Sequence, residues 1–165
     1  MGNMLVMTLR RRVLDAAVVR LPRMAMLLLL RASISLNKGS LLSIARLVSI
    51  VDDDEAVRLA MDTLVRSFGN ETRLFACAEE FFASGLIAET ACLISDIMMP
   101  GMSGVEMVER LRQLEYALPT LLMTSFPAEE LTAKAIANGA LVVLNKPVDP
   151  ETLSYWLAVA LGSPH

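Results

Sequence analysis

From Arg46 onward, short apolar runs alternate with stretches in which apolar residues return every three or four positions. Leu47–Val51 is a short, mostly apolar β-branched run, as a strand buried on both faces requires. Val57, Ala60, Met61, Leu64 and Val65 then recur at helical spacing, and Gly69 supplies a stop. The same pair of patterns repeats four more times. Residues 72–76 read as a second strand and Ala78–Ala83 as a second helix, ending near Ser84-Gly85. Residues 92–95 read as a third strand running into Asp96, and residues 105–114 as a third helix with Val105, Val108 and Leu111 along one side. Residues 120–123, entered through Pro119, read as a fourth strand, and residues 128–137 as a fourth helix stopped by Asn138-Gly139. Residues 141–144 read as a fifth strand. Pro150–Leu161 reads as a fifth helix with Leu153, Trp156, Leu157 and Ala160 facing inward.

Strict strand–helix alternation demands right-handed crossovers and a parallel sheet covered on both faces. Five such units predict an α/β chain of the flavodoxin-like, doubly wound (βα)5 type, a three-layer sandwich around a central five-stranded parallel sheet. In that architecture ligands bind outside the carboxyl ends of the strands. The strand ends are therefore where chemistry is expected.

Composition narrows the function classes. Hydrophobic residues make up 55% of the 165 and charged residues 20%, which excludes a highly charged chain unable to bury a core. The longest purely apolar run, from Met24 to Leu30, stops at Arg31, short of the roughly 18 residues a bilayer span needs. Cys77 and Cys92 lie far apart and form no CxxC, so neither a disulfide framework nor a structural zinc site is expected, and a reducing compartment fits. The one histidine, His165, removes mechanisms that need an internal histidine base or a histidine metal cluster.

The net charge of −3 conceals a split. Residues 1–46 hold eight basic side chains against Asp15 alone, net +7, whereas residues 47–165 hold seven basic and seventeen acidic ones, net −10. A tail joined to an acidic domain is the expectation, and the acidic part repels nucleic acid phosphates. In the tail, Arg10–Arg12 suit the charged region of a signal peptide and loosely resemble a twin-arginine signal, but Asp15, Arg20 and Arg23 interrupt the apolar stretch. At about 100° per residue those charges spread around most of a helix circumference, and Pro22 breaks the helix near its middle. Residues 1–45 are expected to be a basic, apolar, poorly ordered extension or sequence upstream of the true start, with Asn37-Lys38-Gly39-Ser40 as the linker.

The strand ends carry an unusual set of side chains. Strand one ends in Asp52-Asp53-Asp54-Glu55, strand three in Asp96, strand four in Thr124-Ser125 and strand five in Asn145-Lys146-Pro147. Carboxylates converging on one rim repel one another unless a cation sits among them. Oxygen-only ligation with few protein ligands suits Mg2+, which keeps waters and accepts a phosphate oxygen. A hydroxyl at Thr124 and a fixed positive charge at Lys146 complete a site for moving a phosphoryl group onto a carboxylate.

These motifs, in order, resemble the receiver domain of two-component response regulators: Val51-Asp52-Asp53-Asp54-Glu55, then Ser95-Asp96 through Met98-Met99-Pro100-Gly101-Met102-Ser103-Gly104, then Met123-Thr124-Ser125, Gly139-Ala140 and Lys146-Pro147. The match covers residues 46–162 and is similar to receivers of the nitrogen-fixation regulator type. The resemblance implies Asp96 as phosphoacceptor from a histidine kinase or histidine phosphotransfer protein. It implies Asp53 as a direct Mg2+ ligand, Asp52 as a second acid acting through water, and the Met98 backbone carbonyl as a further ligand. It implies that Thr124 reaches the phosphoryl group, that Lys146 pairs with it, and that Lys146-Pro147 is a cis peptide. A cytoplasmic signalling protein with self-phosphorylation and autodephosphorylation as its only chemistry follows, with an unnamed downstream partner, and with dimerisation on phosphorylation left open.

Each residue also has an ordinary reading. Asp54 fits a helix N-cap, Asp52 and Asp53 alone would pass for a solvated acidic turn, and Pro100, Gly101 and Gly104 fit loop shaping. Two departures weaken the usual switch: Val143 stands where many receivers place an aromatic, and Val148 where they place Phe. Only Gly162-Ser163-Pro164-His165 follow the fifth helix, so a stand-alone receiver with no output domain is the expectation. Two rival readings remain. One is a phosphorylation-independent binding module on the same scaffold, which Val143 favours. The other is an aspartyl-phosphate phosphohydrolase, whose second acid would sit where this chain has Met98.

Overall fold

The structure is a computed structural model, and it describes residues 45–162. The expectations for residues 1–44 lie outside those residues. Among the described residues ten elements alternate strand with helix: β1 (Leu47–Val51), α1 (Glu55–Ser67), β2 (Glu71–Phe75), α2 (Ala78–Ala83), β3 (Cys92–Asp96), α3 (Gly104–Gln113), β4 (Thr120–Thr124), α4 (Glu129–Asn138), β5 (Val142–Asn145) and α5 (Pro150–Leu161). The strands form one parallel sheet in the order β2-β1-β3-β4-β5. This is the flavodoxin-like architecture that the alternation predicts. The element boundaries differ from the sequence expectation by one residue at several ends, the usual scatter where a helix or strand frays.

Period-two alternation along the strands explains the three layers. Val48, Ile50, Cys92, Ile94, Leu121 and Met123 point to one face, where Met61 and Val65 of α1 and Leu153, Leu157 and Leu161 of α5 cover them. Trp156, Ala160 and Val148 pack at the edge of this cluster. Val51 and Leu93 point to the other face, under Ala78 and Phe81 of α2 and Met107 and Leu111 of α3. On that same side Leu122 joins Val105 and Val108 of α3 and Ala135 of α4, with Leu131 and Val143 alongside. Val143 thus fills space under α4, the position where an aromatic was absent.

The helices that follow the functional strand ends are capped by their own sequence. Asp54 accepts the backbone N–H groups of Ala56 and Val57, which starts α1 immediately beyond the acidic run. Ser103 and Glu106 form a reciprocal capping box that starts α3 eight residues after Asp96. Asp149 caps α5, with Pro150 in its first turn, four residues after Asn145 ends β5. These caps make the strand-to-helix turns short and definite, so the side chains on them are held at the carboxyl rim of the sheet.

Candidate functional site

Asp52 leaves the end of β1 and is fully buried. Its backbone N–H donates to the Phe75 carbonyl at 3.2 Å, and its Oδ1 accepts the Asp54 N–H at 2.9 Å. Its Oδ2 accepts Lys146 Nζ at 2.6 Å across 94 residues of chain. The same ammonium lies 3.0 Å from Oδ2 of Asp96, the last residue of β3. Lys146 is itself placed from two sides, because its backbone N–H donates to the Thr124 carbonyl at 2.8 Å and its peptide bond to Pro147 is cis. One ammonium therefore bridges the two carboxylates that end adjacent strands.

Burial pushes the Asp52 pKa above the ordinary carboxylate range, because desolvation outweighs the hydrogen bonds from Lys146 and the Asp54 N–H. Burial also works against the Lys146 ammonium. The hydrogen bonds and charges of Asp52 and Asp96 more than offset it, and the net shift is upward. Lys146 is thus held charged by two acids, with Asp53 a third carboxylate nearby. This imbalance of negative charge is what an additional cation would relieve.

Asp53 completes the group. One oxygen from each of Asp52, Asp53 and Asp96 lies within 4.8 Å of the others. Asp53 is exposed and its carboxylate makes no hydrogen bond among the described residues. The Met98 carbonyl, two residues past Asp96, likewise accepts none among the described residues, and Met98 is 62% exposed. An oxygen-only set of one free carboxylate, two partly engaged ones and a free carbonyl has the donor chemistry of a hard divalent cation site.

Thr124 ends β4, is buried, and its Oγ1 accepts the Phe126 N–H at 3.1 Å. That bond leaves the hydroxyl proton available to a ligand. Ser125 is exposed beside it. The structure therefore brings Asp52, Asp53, Asp96 and Lys146 together, and puts Thr124 and Met98 at neighbouring strand ends. Asp54 serves as the helix cap that its ordinary reading assigns.

Two further residues shape the site, Arg58, which the sequence reading missed, and Gly104, which it read as loop shaping. Arg58, half-buried on α1, donates from Nη1 to the Asp52 carbonyl at 2.6 Å. Its only clue is its place six residues after Asp52, on the first turn of a helix that starts at the acidic run. Gly104 opens α3 against the backbone of Asp96, where an added Cβ would fall 2.3 Å from the Asp96 carbonyl oxygen. Gly104 also donates its N–H to the Ile97 carbonyl at 3.1 Å, so the turn behind Asp96 closes on itself.

The family model described as "Response regulator receiver domain" matches residues 48–157. Among curated proteins, the chain is 30% identical over 114 residues to the transcriptional regulatory protein FixJ of Bradyrhizobium diazoefficiens, covering 69% of this chain and 56% of FixJ. It is 33% identical over 117 residues to the response regulator protein TodT of Pseudomonas putida, covering 71% of this chain and 52% of TodT. The chain spans about half the length of the curated relatives it matches. Among solved structures, chemotaxis protein CheY4 of Vibrio cholerae superposes with a TM-score of 0.65 at 32% identity, covering 71% of this chain and 99% of CheY4. A CheY-like receiver domain protein of Methanospirillum hungatei JF-1 gives 0.65 at 26% identity, covering 72% of this chain and 95% of the other. Among the described residues no helix is long and apolar enough to cross a membrane. With the motifs, the sheet order and the acidic rim in agreement, the chain belongs to the response regulator receiver family of two-component signalling.

Proposed function

We propose that Asp96 accepts a phosphoryl group from a phosphohistidine donor on a histidine kinase or histidine phosphotransfer protein. The observation that carries this reading is the Lys146 ammonium, 2.6 Å from Asp52 and 3.0 Å from Asp96, beside a free Asp53 carboxylate. An Asp96 carboxylate oxygen forms the new O–P bond while the N–P bond of the donor breaks, and the departing imidazole nitrogen takes up a proton. Asp52, Asp53, Asp96 and the Met98 carbonyl would hold Mg2+, which supplies positive charge against the phosphoryl oxygens when bound. Lys146 Nζ pairs with one of those oxygens and the Thr124 hydroxyl donates to another. The phosphorylated chain then signals by binding a protein partner in the cytoplasm, by passing the group along a relay, or by pairing with a second copy.

Intact-mass measurement after incubation with acetyl phosphate tests this directly. One phosphoryl adduct is expected, dependent on Mg2+ and absent from Asp96→Asn. No adduct in folded protein, from acetyl phosphate or from a phosphorylated histidine donor, would sink the reading. The favoured alternative would then be a binding module that works without phosphorylation, in keeping with an aliphatic Val143 packed against the cluster of Leu122, Val105, Val108 and Ala135.

A further inference from the structure

The turn between β1 and α1 holds Asp52 by every polar atom it has. The N–H goes to Phe75, Oδ1 to the Asp54 N–H, Oδ2 to Lys146, and the carbonyl oxygen to Arg58 Nη1 at 2.6 Å. The last of these differs from the rest. The Asp52 carbonyl belongs to the peptide that joins Asp52 to Asp53, and a peptide unit is planar. Restraining its oxygen restrains the plane in which the Asp53 nitrogen and Cα lie, and with it the position from which the Asp53 side chain leaves the backbone.

The Asp54 N–H bond to Asp52 Oδ1 restrains the peptide that follows Asp53, and no bond among the described residues holds the Asp53 side chain itself. Its carboxylate has no hydrogen-bond partner among the described residues, and it is exposed where Asp52 is buried. The cap at Asp54 restrains the far side of the residue. We infer that Arg58 is the positioning residue for Asp53: its charge-assisted bond to the Asp52 carbonyl sets the Asp53 carboxylate toward the cation site before any ion arrives. The inference rests on the proposed role of Asp53 as a Mg2+ ligand. Arg58 needs no contact with ion or phosphoryl group for this. Its reach from the first turn of α1 back over the acidic run is the feature that matters, and a shorter ammonium with no planar fork reproduces it incompletely.

The test is calorimetric titration of Mg2+ into the full chain, as wild type, Arg58→Met and Arg58→Lys, with metal-free melting temperatures measured in parallel. Loss of an outer hydrogen bond that orients a ligand typically weakens metal binding by about 10-fold or more. Arg58→Met is expected to bind Mg2+ about 10-fold more weakly than wild type, and Arg58→Lys to fall between the two. In acetyl phosphate labelling, the Mg2+ concentration for half-maximal rate should rise by the same factor while the rate at saturating Mg2+ stays close to wild type. A purely structural role would instead lower the metal-free melting temperature and leave the affinity of folded protein alone. Wild-type affinity in Arg58→Met overturns the inference while leaving the site reading intact. A wild-type chain that binds no Mg2+ at millimolar concentration overturns both, so the two failures are distinguishable.

Discussion

Replacing Gly104 by Ala tests whether the start of α3 and the backbone of Asp96 are one packed unit. The new Cβ would lie 2.3 Å from the Asp96 carbonyl oxygen, 3.1 Å from its carbonyl carbon and 3.0 Å from Leu122 Cδ2. Ordinary contact begins near 3.4 Å, so the nearest atom is about 1 Å too close, and it is backbone rather than the flexible end of a side chain. Relief requires α3 to lift or the Asp96 carbonyl to turn, at an overpacking cost of about 1–3 kcal/mol. Turning that carbonyl also weakens the bond it accepts from Ser95 Oγ at 2.9 Å, worth roughly 1 kcal/mol net. The total of about 2–4 kcal/mol corresponds to a fall in melting temperature of roughly 8–15 °C for a domain of this size. Gly69→Ala is the control, because Gly69 sits at φ +83° with nothing within 4 Å of its Cβ direction and carries only a left-handed strain of about 1–2 kcal/mol. Thermal unfolding by circular dichroism and phosphoryl labelling read the two variants. The expected pattern is destabilisation with slowed labelling in Gly104→Ala, and a smaller loss of stability with labelling intact in Gly69→Ala. A melting temperature for Gly104→Ala within about 2 °C of wild type would refute the packing argument.

Three further outcomes follow from the electrostatics and burial. Lys146→Met leaves the buried Asp52 and Asp96 without their shared cation and should cost about 1–3 kcal/mol at pH 7, read as a lower urea midpoint at unchanged slope. Asp52→Asn should raise the metal-free melting temperature at pH 7. Because burial holds the folded Asp52 pKa above its unfolded value, the ionised group costs stability above the folded value and costs nothing below the ordinary carboxylate range. The advantage of Asp52→Asn must therefore shrink as pH falls toward 4, and an advantage that grew on acidification would contradict the sign. Burial pushes the Cys92 thiol up to about 12, whereas Cys77 is half-buried. A thiol reagent should thus modify Cys77 in the native state and reach Cys92 only on unfolding, and rapid native labelling of both would be the contrary result.

The alternation of five apolar runs with five amphipathic stretches was enough to determine the architecture, because a period of two and a period of 3.6 bury different sets of residues and cannot be exchanged. The chemistry of the rim was legible for a related reason. Asp96 and Thr124 end their strands and Asp52, Asp53 and Lys146 come within two residues after theirs, so the parallel sheet brings all of them to one end whatever the details of packing. The Asp54, Ser103 and Asp149 caps are local too, depending only on residues two or three positions away. What lay beyond the sequence is whatever needs two groups at a measured separation. That Lys146 bridges Asp52 and Asp96, that Val143 packs against the cluster around Leu122 and Ala135, that Arg58 turns back onto the Asp52 carbonyl, and that Gly104 has no room for a methyl group all depend on how the helices settle against the sheet. Pattern is repeated along the chain and survives small displacements, whereas a hydrogen bond or a close approach is lost within an ångström, so only the tertiary structure decides it.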